Sequence, residues 1–242
     1  MARFYSLKKK DEDNDKIADP FNVLRPKIKE KEKPTIKIHD MAKVYEFLAN
    51  GFEDIEALGP VDVLRRGGLD VKTVSISGDL MVASAHGVQV KADMLFEDVN
   101  FDDADLLLIP GGMPGAKNID EHEGVRRALV AHAGKGKLVG AICAGPMVLG
   151  HLGLLRGKKA TCYPGFEGEL DGAEYTAAPF TIDGNVITGK GPGATLAYAY
   201  ALLGQFKGER VVEEMKKGMM YYKMCNADVR HWTSIINNKN PL

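Results

Sequence analysis

Two textures meet near residue 41. From Met41 onward, short apolar runs alternate with stretches in which apolar residues recur every three or four positions, as strands alternate with helices. Ala42-Lys43-Val44-Tyr45-Glu46-Phe47-Leu48 reads as a first strand, and Glu53-Asp54 opens a helix through Arg66 that Gly67-Gly68 stops. Val71 to Ile76 is a second strand, and one or two short extended pieces lie between Met81 and Asp98. Asp105-Leu106-Leu107-Leu108-Ile109 has the unbroken apolar character of a strand covered on both faces, and it ends in Pro110-Gly111-Gly112. The pattern then predicts a helix over about Ile119 to Ala133, a strand over Leu138 to Ile142, a helix opening at Ala144-Gly145-Pro146, and a short strand over Lys159 to Tyr163. A hairpin from Tyr175 to Thr188 turns at Asp183-Gly184-Asn185. A long apolar helix to Leu203 and a last one over Glu209 to Lys217 close the unit. Alternation of this kind, without internal repeat or interior linker, predicts one α/β domain over residues 41–222 with a mostly parallel sheet.

Before Met41 the pattern is different. Residues 1–40 hold 11 Lys or Arg and 8 Asp or Glu with no sustained apolar period, too little apolar surface to offset the entropy of ordering. They are expected to be a flexible extension whose few apolar positions, as in Phe21 to Leu24 and Ile36 to Ile38, could clip onto the folded domain or a second subunit. Residues 223–242 form a tail holding the single tryptophan, Trp232, which is expected to pack on the domain or on a partner subunit.

Composition narrows the function classes. A formal net charge of -1 gives no support to a nucleic-acid or anionic-membrane partner. No apolar stretch approaches the roughly 18–20 residues needed to span a bilayer, and the first residues carry charge where a secretory signal would be apolar, so a cytoplasmic location is expected. The three cysteines, Cys143, Cys162 and Cys225, are too scattered for a disulfide framework and show no zinc-binding spacing; no metal is expected.

In an open α/β sheet the functional crevice lies beyond the carboxyl ends of the strands. Three strand ends carry chemistry: Asn50 to Glu56 supplies carboxylates, Pro110-Gly111-Gly112-Met113 a glycine turn with bare N–H groups, and Ile142-Cys143-Ala144-Gly145 a thiol. Ala141-Ile142-Cys143-Ala144-Gly145 has the logic of a nucleophile elbow, with small residues on both sides of a strained turn. A helix N-terminus behind Cys143 favours the thiolate. Taken one at a time, a packed cysteine, a helix-capping glutamate and a plain glycine turn explain these residues equally well.

Taken together, Gly51-Phe52-Glu53-Asp54-Ile55-Glu56 with Pro60 to Arg66, Leu108-Ile109-Pro110-Gly111-Gly112, Ala141 to Pro146, and Gly189-Lys190-Gly191-Pro192-Gly193 resemble the ThiJ/PfpI superfamily, specifically its parkinsonism-associated, protein-deglycase-like branch. The resemblance covers most of residues 41–222 and implies a flavodoxin-like three-layer sandwich, a homodimer, and an oxidation-prone cysteine at the elbow. It places Cys143 at the nucleophile and Glu56 at the carboxyl that hydrogen-bonds it, with a raised pKa expected for Glu56. Gly112 and Ala144 fall at the oxyanion positions, and Asp62 at an acidic position that in related proteins orients a histidine. That histidine commonly precedes a proline; here Tyr163 stands before Pro164, and a neutral tyrosine is a poor base at pH 7. Tyr163 and Asp62 are thus candidate pocket residues. His151 lies too far along the helix to replace the histidine, and His39, His86, His122, His132 and His231 are each expected at the surface. Cys162 should face away from Tyr163, into the core.

The resemblance implies a cysteine-dependent glyoxalase or deglycase acting on methylglyoxal-like 2-oxoaldehydes or their adducts, without cofactor and linked to oxidative or carbonyl stress. A non-catalytic redox sensor or stress chaperone is the alternative, and a pocket for an unrelated metabolite a third. Ala144 stands where the protease branch has a histidine, which argues against a peptidase.

Overall fold

The computed structural model describes residues 41–221. The extension 1–40 and the tail beyond residue 221, with His39, Cys225, His231 and Trp232, lie outside the described residues. Strand β1 (Lys43–Leu48) is followed by helix α1 (Asp54–Arg66), β2 (Asp70–Ser75), a short hairpin of β3 (Met81–Ala83) and β4 (Gln89–Lys91), β5 (Met94–Leu95) and β6 (Leu106–Ile109). Then come α2 (Gly115–Glu121), α3 (Glu123–Gly134), β7 (Leu138–Ile142), α4 (Pro146–His151), β8 (Lys159–Ala160), β9 (Glu174–Tyr175), β10 (Phe180–Asp183), β11 (Val186–Gly189) and α5 (Thr195–Gly218). Seven strands form one sheet in the order β10-β11-β7-β6-β1-β2-β5, and only the edge strand β10 runs antiparallel to its neighbour.

Strands β6 and β7 are apolar throughout because alternate residues enter two different cores. On β6, Leu106 and Leu108 pack with Val61 and Leu64 of α1 and Tyr198 and Leu202 of α5. Leu107 and Ile109 pack on the opposite face with Ile119, Val125, Leu129 and Val148. Helices therefore cover both faces, giving the expected α/β sandwich with its mostly parallel sheet. No helix of the described residues is long and apolar enough to cross a membrane.

Three boundaries differ from the sequence pattern. The helix expected over Ile119 to Ala133 is two, because His122 is extended (φ -82°, ψ 99°) and its Nδ1 accepts the Val125 N–H at 3.1 Å, capping α3. The strand expected to reach Tyr163 stops at Ala160: Thr161 N–H bonds Thr188 Oγ1 at 2.9 Å, and the chain then turns toward the cysteine loop. The expected hairpin is formed by β10 and β11, while Tyr175 belongs to β9, paired with β8. The break expected between the last two helices is present within α5 at Gly208, where φ is 75° and ψ 171°.

One histidine is misplaced by the sequence reading. His132 is buried, not exposed; its Nε2 lies 3.0 Å from the Leu138 carbonyl, and burial lowers its pKa to about 4, which keeps the ring neutral. A His at a helical position facing β7 packs like any apolar residue once one ring nitrogen is partnered.

Leu108 sits at the centre of the sheet, 1 % exposed, against α1 and α5. Leu108→Ala is expected to cost about 2–5 kcal/mol through lost burial and the cavity left behind, measurable as a lower denaturant midpoint at unchanged m-value.

Candidate active site

The carboxyl ends of β1, β6 and β7 bring the three predicted segments together. Beyond β7, Cys143 adopts φ 64°, a left-handed conformation unusual for a residue with a Cβ. Three main-chain bonds hold it there: Cys143 N–H to Gly189 O at 2.9 Å, Tyr163 N–H to Cys143 O at 2.9 Å, and Gly145 N–H to Ile142 O at 2.8 Å. A side chain at Gly145 would run into the carbonyls of Ile109 (2.8 Å) and Pro110 (3.0 Å), so a glycine there lets the turn close against the end of β6. The elbow inferred from small residues in the sequence is thus present, and strained.

Glu56 reaches the same point from the first turn of α1. Glu53 caps that helix by accepting the Glu56 N–H at 2.8 Å, which fixes the side chain's direction. Glu56 is fully buried and Cys143 nearly so, at 8 % exposure. Gly111 separates them only by its missing side chain: a methyl group there would collide with Glu56 Oε2 and with Cys143 Cβ and would lie 3.0 Å from Sγ. This pair is in contact because a glycine leaves the space.

Burial pushes the Glu56 carboxyl up to about 7, with Glu53 adding to the push while the Cys143 thiol and the Gly111 N–H pull the other way. Burial also pushes the Cys143 thiol well up, and an ionised Glu56 adds to this through its charge; the N–H groups of Ala144 and Gly112 oppose it. The helix N-terminus expected to favour the thiolate is not the dominant influence. Helix α4 is six residues long, and desolvation outweighs it. A thiolate becomes affordable when Glu56 holds the proton, so thiol and carboxyl behave as one unit sharing it.

Gly112 and Ala144 do present their N–H groups to the sulfur, as expected of an oxyanion pair. Tyr163, 46 % exposed, stands at the rim: a side chain on Gly191 would meet the Tyr163 ring at 3.0 Å and Glu56 Oε1 at 3.9 Å. Asp62 is not brought to the site. It lies on the exposed side of α1 and pairs with Arg66, both carboxylate oxygens 2.9 Å from Nε, an i,i+4 bridge worth little to stability. Cys162 is fully buried, as expected from its alternation with Tyr163. None of the histidines among the described residues replaces the missing one: His86 pairs with Asp54 at 2.6 Å, His122 caps α3, His132 is buried against Leu138, and His151 bridges Asp120 (2.8 Å) and Glu169 (2.9 Å). Glu53, Asp54 and His86 are the one group among the described residues whose ligand atoms lie close enough, within 4.8 Å, to hold a metal. Their helix cap and ion pair already occupy them. Sequence reasoning took Gly111 as part of a turn and Gly191 as part of a motif; their closeness to Glu56 is a tertiary fact with no local signal.

Fold and site together define a class: a flavodoxin-like α/β protein organised around a single elbow cysteine. The chain belongs to the DJ-1/PfpI family, whose profile matches residues 42–205. It is 38% identical over 174 residues to protein DJ-1 homolog B of Arabidopsis thaliana, covering 71% of this chain and 40% of that one. It thus spans less than half the length of the two Arabidopsis relatives it matches, DJ-1 homologs A and B. A deglycase of Pyrococcus horikoshii is 34% identical over 168 residues, 68% of this chain and 96% of the relative. The crystal structure of Drosophila melanogaster DJ-1beta superposes with a TM-score of 0.72 at 32% identity, over 74% of this chain and 98% of that one.

The raised Glu56 carboxyl makes stability pH-dependent. The folded state holds this proton more tightly than the unfolded chain, so its contribution is full below the ordinary carboxyl range near 4.5 and is lost as pH rises to about 7. The loss amounts to about 3 kcal/mol. Glu56→Gln has no such group to titrate, and its unfolding free energy should lack this fall when wild type and variant are compared by urea denaturation below and above that range.

Proposed function

We propose that the protein is a cysteine-dependent glyoxalase or deglycase acting on small 2-oxoaldehydes or on their adducts with amines. The observation that carries this reading is the convergence of the Cys143 sulfur, the buried Glu56 carboxyl and the N–H groups of Gly112 and Ala144 beyond the carboxyl ends of the strands. Relatives named as deglycases, at 33–34% identity, support it.

In this scheme Glu56 takes the thiol proton, and the thiolate adds to the aldehyde carbon. The resulting oxyanion sits on the two N–H groups until Glu56 returns the proton, leaving a hemithioacetal. Glu56, ionised again, moves the proton from the former aldehyde carbon to the adjacent carbonyl carbon, while the hemithioacetal hydroxyl proton passes to the former ketone oxygen. The thioester so formed is cleaved by water, releasing a 2-hydroxy acid and the free thiol. The scheme needs neither metal nor organic cofactor, and Tyr163 shapes the entrance.

The wider assignment is a cytoplasmic protein of oxidative or carbonyl stress acting as a homodimer. Exposed Ile55 and Leu58 on α1, with Met81 and Val88 on the adjoining β3–β4 hairpin, offer the apolar surface for a second copy.

A second reading has its own support. Sulfur oxidation needs a thiolate and a neighbour but no separate base, and a Glu56 carboxyl protonated up to about pH 7 would donate to a Cys143 sulfinate. That describes a redox sensor. Lactate formation from methylglyoxal separates the two: wild type should turn over, Cys143→Ala should fall to background, and Glu56→Gln should lose at least about 100-fold in kcat. Equal rates in all three proteins would sink the enzyme. Absence of turnover, together with peroxide-driven addition of two oxygens at Cys143 seen by intact mass, would establish the sensor.

A further inference from the structure

Helix α4 opens just after the elbow and ends at His151, and the chain beyond it returns to the elbow at Tyr163. A continuous set of hydrogen bonds closes this circuit. The Tyr163 N–H donates to the Cys143 carbonyl at 2.9 Å, the Phe166 N–H to the Tyr163 carbonyl at 3.0 Å, and the Glu169 N–H to the Phe166 carbonyl at 3.0 Å. The Glu169 carboxylate then meets His151 Nε2 at 2.9 Å. Between these points Phe166 packs on Ala144 and Met147, so the same segment covers the residue whose N–H faces the sulfur. The short helical turn that carries the carboxylate, Glu167–Glu169, lies directly on α4: a side chain at Gly150 would run into the Glu169 carbonyl. Residues 163–169 are therefore tied at one end to the strained cysteine and at the other to one imidazole.

That imidazole has an acceptor on each side. Nδ1 lies 2.8 Å from Asp120 Oδ2 of α2, and Nε2 lies 2.9 Å from Glu169 Oε2. An ionised carboxylate only accepts, so both bonds exist together only when both ring nitrogens carry protons and the ring is a cation. The bonds to Asp120 and Glu169 in turn favour that cation and raise its pKa above the ordinary 6.5, against the opposing effect of burial. The two anchors are unequal. Arg126 of α3 also holds Asp120, with Nη1 2.6 Å from Oδ1 and 3.1 Å from the Asp120 carbonyl. The Asp120 side chain is 18 % exposed, whereas that of Glu169 is 50 % exposed and has no second partner among the described residues. Of the other charged groups around α4, Lys117 and Glu121 of α2 pair with each other at 3.7 Å, Glu167 accepts the Gly165 N–H at 2.7 Å, Arg156 lies against Gly172, and Asp171 is exposed. When the ring loses a proton, its one remaining N–H stays with the fixed Asp120, and a bare nitrogen faces Glu169.

We propose that His151 is a positioning residue for Cys143, a pH-operated latch that as a cation pins residues 163–169 against the elbow and as a neutral ring releases them through Glu169. The folded state holds the His151 proton more tightly than the unfolded chain, so the latch is closed below the ordinary histidine range and opens as pH rises through the raised value. Closed, it keeps the Tyr163 N–H on the Cys143 carbonyl and Phe166 on Ala144. Open, it loosens one side of the clamp on the strained peptide. A single proton passes between ring and solvent, and no covalent bond changes. The latch rests on the reading of Cys143 as the reactive group and applies to turnover and to oxidation alike.

Amide hydrogen exchange of the full-length protein, measured by NMR below and above the His151 titration and corrected for intrinsic pH dependence, tests the latch. The Tyr163 and Phe166 amides should be protected while the ring is charged and should exchange at least about threefold faster once it is neutral. His151→Phe should exchange at the faster rate on both sides of that titration. In Glu169→Gln the new amide can turn an N–H toward the neutral ring, so protection should persist with no step. Altered at a half-exposed position, this second variant decides the matter if His151→Phe does not fold. Alkylation of Cys143 by iodoacetamide should show an added rise at the same pH in wild type and lose it in Glu169→Gln. No step in wild-type exchange or alkylation, or an equal step in Glu169→Gln, overturns the latch. No aldehyde is used, so failure of methylglyoxal turnover leaves these measurements untouched and the two proposals fail separately.

Discussion

Everything at this site depends on one backbone conformation, the left-handed turn at Cys143. A residue with a side chain adopts φ near 60° at a cost of about 1 kcal/mol or more, and holds it only where surrounding bonds over-determine it. Here β11 accepts from the N–H of the residue and the loop after β8 donates to its carbonyl, so two separate parts of the chain clamp one peptide. The sheet order makes this possible. With β7 between β6 and β11, the elbow emerges beside the Gly111 turn on one side and the Gly189–Gly193 segment on the other.

The clamp directs the sulfur inward, and chemistry follows from what it meets there. A thiol and a carboxyl buried together cannot both ionise cheaply, so the energetic cost of desolvation is converted into proton sharing. Neither helix dipole nor histidine is required for that. The two N–H groups aimed at the sulfur favour charge on the thiol side, and the buried carboxyl is their counterweight. Beneath lies a second carboxyl, Glu46, in a strand otherwise entirely apolar after Lys43.

Much of this was legible in the sequence, for definite reasons. Strands β6 and β7 announce themselves because parallel strands buried on both faces are continuously apolar. The elbow announces itself through small residues around Cys143, and the Cys143–Glu56 association through the order of the motifs. What escaped depends on contacts distant in sequence. Asp62 looked like a site residue from its place in a motif, but the helix turns it outward to Arg66. His132 looked polar and is core, because a single carbonyl satisfies its ring. The break at His122 came from a side chain acting as a cap where the periodicity continued unbroken.

The gap at Gly111 bears on how such a site can be altered. The wall between sulfur and carboxyl is main chain alone, so no substitution there can widen, narrow or recolour the pocket without displacing the reacting groups themselves. The Tyr163 ring, by contrast, packs against another glycine, Gly191, and faces solvent. For a protein engineer the surroundings of Cys143 thus divide in two: an interior wall without side chains, and an aromatic residue at the surface that can be exchanged without entering that wall.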